Sequence, residues 1–213
     1  MAAQTTIKTP SAGAATPFLE ALTVRRSIYA LDKSIPIADA RVEEILKHAI
    51  LHVPSSFNSQ STRIVYLSGS AHDQLWDITL AALKAIVPAE AFEPTAAKIA
   101  GFKGAHGSVL FFDDQAAVEA LASAFPTYAA NFPPWARESS AMHEYAVWTA
   151  LALEGVGANL QHYNELIADE VAKTWNLPAT WTLRAQMVIG GVIAGAGEKT
   201  FKTVEGERYL SFN

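Results

Sequence analysis

The 213-residue chain contains no cysteine. That one absence removes disulfide scaffolds, thiolate metal centres, iron–sulfur clusters and cysteine nucleophiles. Charge is scarce as well: 17% of residues are charged against 50% hydrophobic, so the chain can bury a core and is not disordered as a whole. No apolar run approaches the ~20 residues that cross a bilayer, so no membrane partner is expected. A basic excess is also missing. With 16 Lys and Arg against 21 Asp and Glu the formal charge is −5, which argues against a nucleic-acid partner bound through bulk phosphate neutralisation. The opening stretch MAAQTTIKTPSAGAATPF lacks the apolar core of a secretory signal and has one lysine and no arginine. A cytoplasmic protein with a short flexible leader is the expectation.

Local chemical signatures are absent too. There is no G-x-x-x-x-G-K-[ST] and no G-x-S-x-G, so neither a P-loop nor a hydrolase elbow is present. Gly155-Val156-Gly157 follows a helical pattern rather than a strand and is not a dinucleotide fingerprint. His48 and His52 have the spacing of a metal pair on a helix, but the residues between them supply no carboxylate and no third ligand is evident. Two polar positions on an amphipathic helix is the better reading, and no metal site is expected.

What is present is periodicity. Residues 1–15 read as a flexible arm, and residues 16–213 as one domain with no internal repeat. Thr16-Pro17 looks like a helix start, with Thr as the cap. Val42, Ile45, Leu46, Ala49 and Ile50 form one helical face, with Asp39 as its cap and Pro54 as its stop. Further helices are predicted over 72–87, 96–100, 115–125, 138–154 and 166–175, and strands over 63–67, 109–112 and 183–193. The stretch 124–135 reads as irregular, and 157–162 as a loop. The run Val109-Leu110-Phe111-Phe112 fits a strand buried on both faces. The fold class is α+β, a small mixed or antiparallel sheet packed between helices.

Three polar segments stand beside these apolar elements. Arg25-Arg26-Ser27 can clamp a phosphate through guanidinium forks and a hydroxyl; two cations meeting a helix C-terminus explain it about as well. Pro54-Ser55-Ser56-Phe57-Asn58-Ser59-Gln60 concentrates hydroxyls and amides that suit a flat heteroaromatic ligand, or an ordinary polar turn. Gly157-Ala158-Asn159-Leu160-Gln161-His162 follows the most apolar helix, where glycine permits close backbone approach to a ligand or simply ends the helix.

Taken in order, RRSIYAL at 25–31, HVPSSFNSQSTR at 52–63, HEYAVWTALALEGVGANLQHYN at 143–164 and GEKTFKTVEGER at 197–208 resemble the flavin-dependent nitroreductase family, in its shorter fungal and bacterial subgroup. The resemblance implies a homodimer with one FMN at each of two subunit interfaces. By the same resemblance, Arg25 and Ser27 would hold the phosphate, with Arg26 nearby, Arg208 arriving from the C-terminal end and Lys199 assisting. Asn58 and Gln60 would bond the ring or ribityl chain, with Ser55 and Ser56 beside them, and that loop would serve the neighbouring subunit's flavin. Asn159, Leu160 and Gln161 would lie along the ring, where His162 is a pocket residue. The activity implied is hydride transfer from NADH or NADPH through FMN to nitroaromatics or quinones in a ping-pong cycle. No catalytic side chain is required, in keeping with the missing triads and metal clusters. A flavin-binding regulatory or storage protein would share these residues, and a non-flavin structural protein would need none of them.

Overall fold

The computed structural model describes residues 13–212. Most of the arm expected over 1–15 therefore lies outside the described residues. The chain runs α1 (Thr16–Val24), β1 (Leu31–Asp32), α2 (Asp39–His52), β2 (Thr62–Ser68), α3 (Gly69–Lys84), α4 (Phe92–Lys103), β3 (Gly107–Asp114), α5 (Gln115–Ala124), α6 (Phe132–Leu153), β4 (Gly157–Gln161), α7 (Asn164–Thr174) and β5 (Trp181–Val192). All strand pairings are antiparallel. The twelve-residue β5 is the spine: β3 pairs along one edge with β2 beyond it, β4 pairs along the other edge from Gln186 to Gly190, and β1 pairs with its end at Gly191 and Val192.

Helices cover both faces of this sheet, and alternation along the strands sorts the side chains between them. Leu110, Phe112 and Val188 meet α3, α4 and α7 through Leu75, Trp76, Phe102 and Ile167. Val109, Phe111, Ala185 and Met187 meet the Val42–Ile45–Leu46–Ala49 face of α2 and Val147 and Leu151 of α6. The doubly buried strand expected at 109–112 is present, with each of the four side chains at most 2% exposed. A register shift opposite Phe111 and Phe112 leaves Arg184 without a cross-strand partner. Such a bulge re-aims the side chain, and Arg184 Nε donates to the fully buried Asp113 carboxylate at 2.6 Å.

Several expectations need correcting. The segment 157–162 is not a loop: 157–161 is β4, and its polar side chains are buried rather than solvated. The helix expected from 138 begins at Phe132, because Pro133 and Pro134 occupy the first turn, where proline costs no hydrogen bond. The segment 124–135 is correspondingly less irregular, with a 3₁₀ helix at Pro126–Asn131. Thr16 lies inside α1 behind Ala15 and makes no capping bond. Asp39 likewise is the first residue of α2 rather than its cap. Its carboxylate instead accepts from Tyr66 Oη at 2.9 Å and from His106 Nε2 at 2.6 Å.

β1 crosses β5 at Gly190 and Gly191, where an added Cβ would strike the Asp32 and Ser34 carbonyl oxygens. Larger residues there would push β1 off the sheet, and β1 is the continuation of the segment that carries Arg25 to Ser27.

A buried relay locks α3 to β3. Trp76 Nε1 donates to Ser108 Oγ at 3.1 Å, and Ser108 lies 2.9 Å from His72 Nδ1. The other ring nitrogen faces the Phe102 carbonyl at 3.1 Å. A carbonyl only accepts, so Nε2 carries a proton, and in the neutral ring that burial favours Nδ1 accepts from the serine. Desolvation holds His72 and His143 below the usual histidine range. A histidine whose folded pKa is depressed binds its proton more readily in the unfolded chain, so stability falls as pH drops below about 6.5. Burial raises Asp113 and Glu144, which acts in the opposite sense, so the histidine contribution is isolated with a variant. The expected outcome is that His72→Gln loses less stability than the parent between pH 7.5 and pH 5.5, by up to ~1.4 kcal/mol per pH unit. Urea denaturation at the two pH values measures it; identical pH slopes would contradict the neutral buried ring.

Candidate functional site

Arg25 ends α1. Its N–H still bonds the Ala21 carbonyl at 3.1 Å, but its ψ of 121° turns the chain out of the helix. The guanidinium lies 4.5 Å above the Trp148 ring and 5.8 Å from that of Tyr145, both on α6. Stacking on an aromatic face holds an arginine in place while leaving its edge donors available, and Arg25 Nε is buried without a partner. Arg26 Nη2 donates to the Gly197 carbonyl, and Lys199 Nζ donates to the Thr23 carbonyl at 2.9 Å. Lys199 thus supplies the cation at the C-terminal end of α1, and Arg25 is not needed in that role. Arg25, Arg26 and Ser27 line one side of a cavity of about 470 Å³ whose other side is the returning chain at Gly195, Gly197 and Glu198. A cavity walled by two guanidinium groups, a hydroxyl and a glycine-containing backbone is suited to a phosphate ester.

Neighbouring bonds fix the direction of this segment. Ser27 forms a parallel bridge with Ala158 of β4, and Ile28 N–H donates to the Ala158 carbonyl at 2.9 Å. The fully buried Asn159 donates through Nδ2 to the Ile28 carbonyl at 2.8 Å, and its Oδ1 accepts from Gln161 Nε2 at 2.8 Å. The side chains of Asn159 and Gln161 are therefore turned into the protein. Leu160 is half-buried against the opposite core, and His162 is exposed where β4 gives way to α7.

The Ser55–Gln60 loop is compact. Its 3₁₀ turn places Phe57, Asn58 and Gln60 at φ of 55°, 51° and 47°. Non-glycine residues in that region are strained and persist only where the surroundings hold them. Ser55 does so twice, through its carbonyl to Asn58 N–H and its Oγ to Gln60 N–H, both at 2.9 Å. Phe57 packs at the surface against an aromatic cluster, with ring centroids 5.1 Å from Phe125, 5.2 Å from Phe132 and 5.8 Å from Trp135, and stays 47% exposed. Asn58 and Gln60 are exposed, Ser55 and Ser56 half-buried, and none of the four lines the Arg25 cavity. Within one chain the structure brings Arg25, Arg26, Ser27 and the Lys199 segment together, and leaves the Ser55–Gln60 loop apart. Arg208 sits on an exposed turn, with its N–H on the Val204 carbonyl, and does not line the cavity either.

Two parts of the site are not marked by the sequence. Tyr145 and Trp148, at i, i+3 spacing on α6, stand only as members of the 143–164 stretch, with nothing to set them under Arg25. Gly197 and Glu198 open the 197–208 stretch, with nothing to show that Gly195–Glu198 walls the cavity. Among the described residues no group of three or more His, Asp or Glu is arranged to hold a metal. His48 and His52 stack with centroids 4.3 Å apart, both exposed.

An antiparallel sheet between two helix layers, with an arginine-lined cavity beside β4, defines an α+β protein. Comparison with known proteins gives the class a family: the profile described as the Nitroreductase family matches residues 22–191, and the chain belongs to that family. It is similar to nitroreductase CinD from Lactococcus lactis in complex with nicotinic acid: 47% identical, TM-score 0.85, covering 92% of this chain and 100% of that one. The same Lactococcus protein has been solved with chloramphenicol and with 4-nitrophenol. The putative nitroreductase HBN1 of Saccharomyces cerevisiae is 38% identical over 186 residues, 86% of this chain and 92% of that protein. A nitroreductase with bound FMN from Desulfitobacterium hafniense is 17% identical, covering 90% of this chain and 98% of that one, and at a TM-score of 0.66 shares the fold.

Proposed function

We propose that residues 16–213 form one FMN-binding unit. It transfers hydride from NADH or NADPH to nitroaromatic or quinone acceptors, and the two substrates visit one site in turn. The observation that carries this reading is the Arg25–Arg26–Ser27 cavity in a chain of the nitroreductase family. The residues fit the cofactor's charged end. A phosphate monoester needs several donors and positive charge, and the cavity offers two guanidinium groups, one with a buried nitrogen that has no partner, and a serine hydroxyl. The chloramphenicol and 4-nitrophenol complexes of the Lactococcus relative, both nitroaromatics, support the acceptor class.

When bound, FMN supplies the redox chemistry, taking reducing equivalents from the nicotinamide and delivering them to the acceptor. The chain's part is binding and orientation. Arg25, held flat on Trp148, and Ser27 would hold the phosphate, with Arg26 nearby. Lys199 would keep the tail closed over the cavity by its bond to Thr23, and Arg208 would bring charge from the C-terminal end. Asn58 and Gln60, both exposed, with Ser55 and Ser56 beside them, would serve the flavin of a second subunit. The backbone of Asn159, Leu160 and Gln161 would run along the ring.

The homodimer that this arrangement requires is supported by apolar side chains with no cover in one chain. Phe18, Leu19 and Val24 of α1 are each more than half exposed, as are Leu153 of α6 and Phe201, Leu210 and Phe212 of the tail. The expected assembly is a stable homodimer with an interface above about 2,000 Å². A flavin-loaded monomer by light scattering at micromolar concentration would overturn it.

The functional test is optical. Protein purified with FMN should lose its visible flavin absorbance within seconds of NADH or NADPH addition and regain it on adding a quinone. A bound flavin that neither reductant bleaches would point to storage or regulation. Arg25→Ala should weaken FMN binding about ten- to a hundredfold, the usual effect of losing a charge-assisted hydrogen bond. His162→Ala should leave quinone turnover at saturating FMN within about tenfold of the parent, below the range of a general acid. A thousandfold loss with flavin still bound would assign His162 a proton-transfer role.

A further inference from the structure

The side chains of Arg25 and Arg26 reach Trp148 and the Gly197 carbonyl, but the direction of the backbone that carries them must also be fixed for Arg25 and Ser27 to converge on one ligand. Against β4 that backbone is held at Ile28, by one backbone bond and one side-chain bond. The bonds are Ile28 N–H to the Ala158 carbonyl, and Asn159 Nδ2 to the Ile28 carbonyl, at 2.9 and 2.8 Å. Ile28 is therefore gripped at both its donor and its acceptor by consecutive residues of β4. An asparagine amide offers a donor on one side and an acceptor on the other, and only one orientation places the donor at Ile28. Gln161 Nε2 settles that orientation by donating to Asn159 Oδ1 at 2.8 Å. Reversing the amide would set oxygen against the Ile28 carbonyl and nitrogen against nitrogen. Asn159 is 0% and Gln161 7% exposed, so water does not readily replace either bond.

We infer that Asn159, oriented by Gln161, is a positioning residue that aims the Arg25–Ser27 segment at the cofactor phosphate without touching the cofactor through its own side chain. The inference rests on the proposed FMN reading. It differs from the role implied by resemblance, in which these two amides lie along the flavin ring. The relay also explains two buried polar residues on a strand whose alternate members, Ala158 and Leu160, pack into the core. Polar side chains in such a place are costly unless paired, and here each pairing leads one step nearer the ligand segment.

The test uses two variants and two ligands. Asn159→Asp keeps the shape of the side chain and removes the donor to Ile28. Gln161→Met leaves Asn159 in place and removes what orients it, with an apolar side chain of similar length that remains foldable if the buried carboxylate does not. Binding of FMN and of riboflavin, which lacks the phosphate, is followed by flavin fluorescence quenching on apo-protein, and the melting temperature of each apo-protein is recorded. The expected result is FMN affinity weakened about tenfold in Asn159→Asp and about threefold in Gln161→Met, in line with one misdirected or loosened hydrogen bond. Riboflavin affinity should stay within about twofold of the parent.

Equal weakening toward FMN and riboflavin would overturn the inference, because the side chains would then be touching the ring. Unchanged affinity for both ligands in a folded Gln161→Met protein would also overturn it. Arg25→Ala measured alongside separates the two levels. If it too binds FMN like the parent, the phosphate assignment itself fails. If it alone loses affinity, only the positioning role of Asn159 fails.

Discussion

The structure hangs on β5. A strand of twelve residues whose side chains from Leu183 to Gly191 are almost all buried cannot stand at a sheet edge, because every unpaired backbone group would be stranded away from water. It must be paired on both sides. β3 meets that demand along one edge with an equally dry strand. β4 covers the other edge from Gln186 to Gly190, and β1 pairs with the end of the strand at Gly191 and Val192. The Ser27–Ala158 bridge brings the segment before β1 beside a strand that follows α6. The Arg25–Ile28 segment lies between α1 and β1 and runs alongside β4 on its way to β5. The position of the arginine cavity is thus a by-product of satisfying hydrogen bonds in the core.

Elements with a long, regular period were legible from sequence. The α2 face, the doubly buried β3 and the terminal strand were all found within a few residues of their ends. β4 was not, for a physical reason. Its alternation is Ala158 and Leu160 against Asn159 and Gln161, and asparagine and glutamine next to glycine look like a solvated loop. What distinguishes them is that their amides find partners at Ile28 and at each other, a contact 131 residues away along the chain that leaves no local mark. The start of α6 was misplaced because two consecutive prolines usually signal an interruption, and only their location in the first turn makes them compatible with a helix. Asp39 has the composition of a cap, but a tertiary demand from Tyr66 and His106 outranks the local one.

The site was legible to the same uneven degree. Adjacent arginines before a serine draw notice in any sequence, and the structure places them on a cavity. Their stacking shelf on α6 and the backbone wall from the tail could not be read, because both are joined to Arg25 and Arg26 only by folding. The resemblance marked Lys199 for the phosphate, and the bond it makes goes to the end of α1. The Ser55–Gln60 loop was noticed for its polarity. Its geometry depends on the one apolar residue within it, Phe57, whose half-exposed ring lies against Phe125, Phe132 and Trp135 and whose backbone takes a left-handed conformation to get there.

The wall of the arginine cavity also sets an order of events during synthesis. Arg25 and Arg26 leave the ribosome well before the Gly195–Lys199 stretch that closes over them, which comes some 170 positions later. β5, the strand from which that stretch continues, is itself the last strand to emerge. A nascent chain halted anywhere before it has the cations but neither the spine nor the far wall. The cavity therefore closes only once β5 and the stretch after it have emerged, and a chain truncated within β5 would lose its fold and this cavity together.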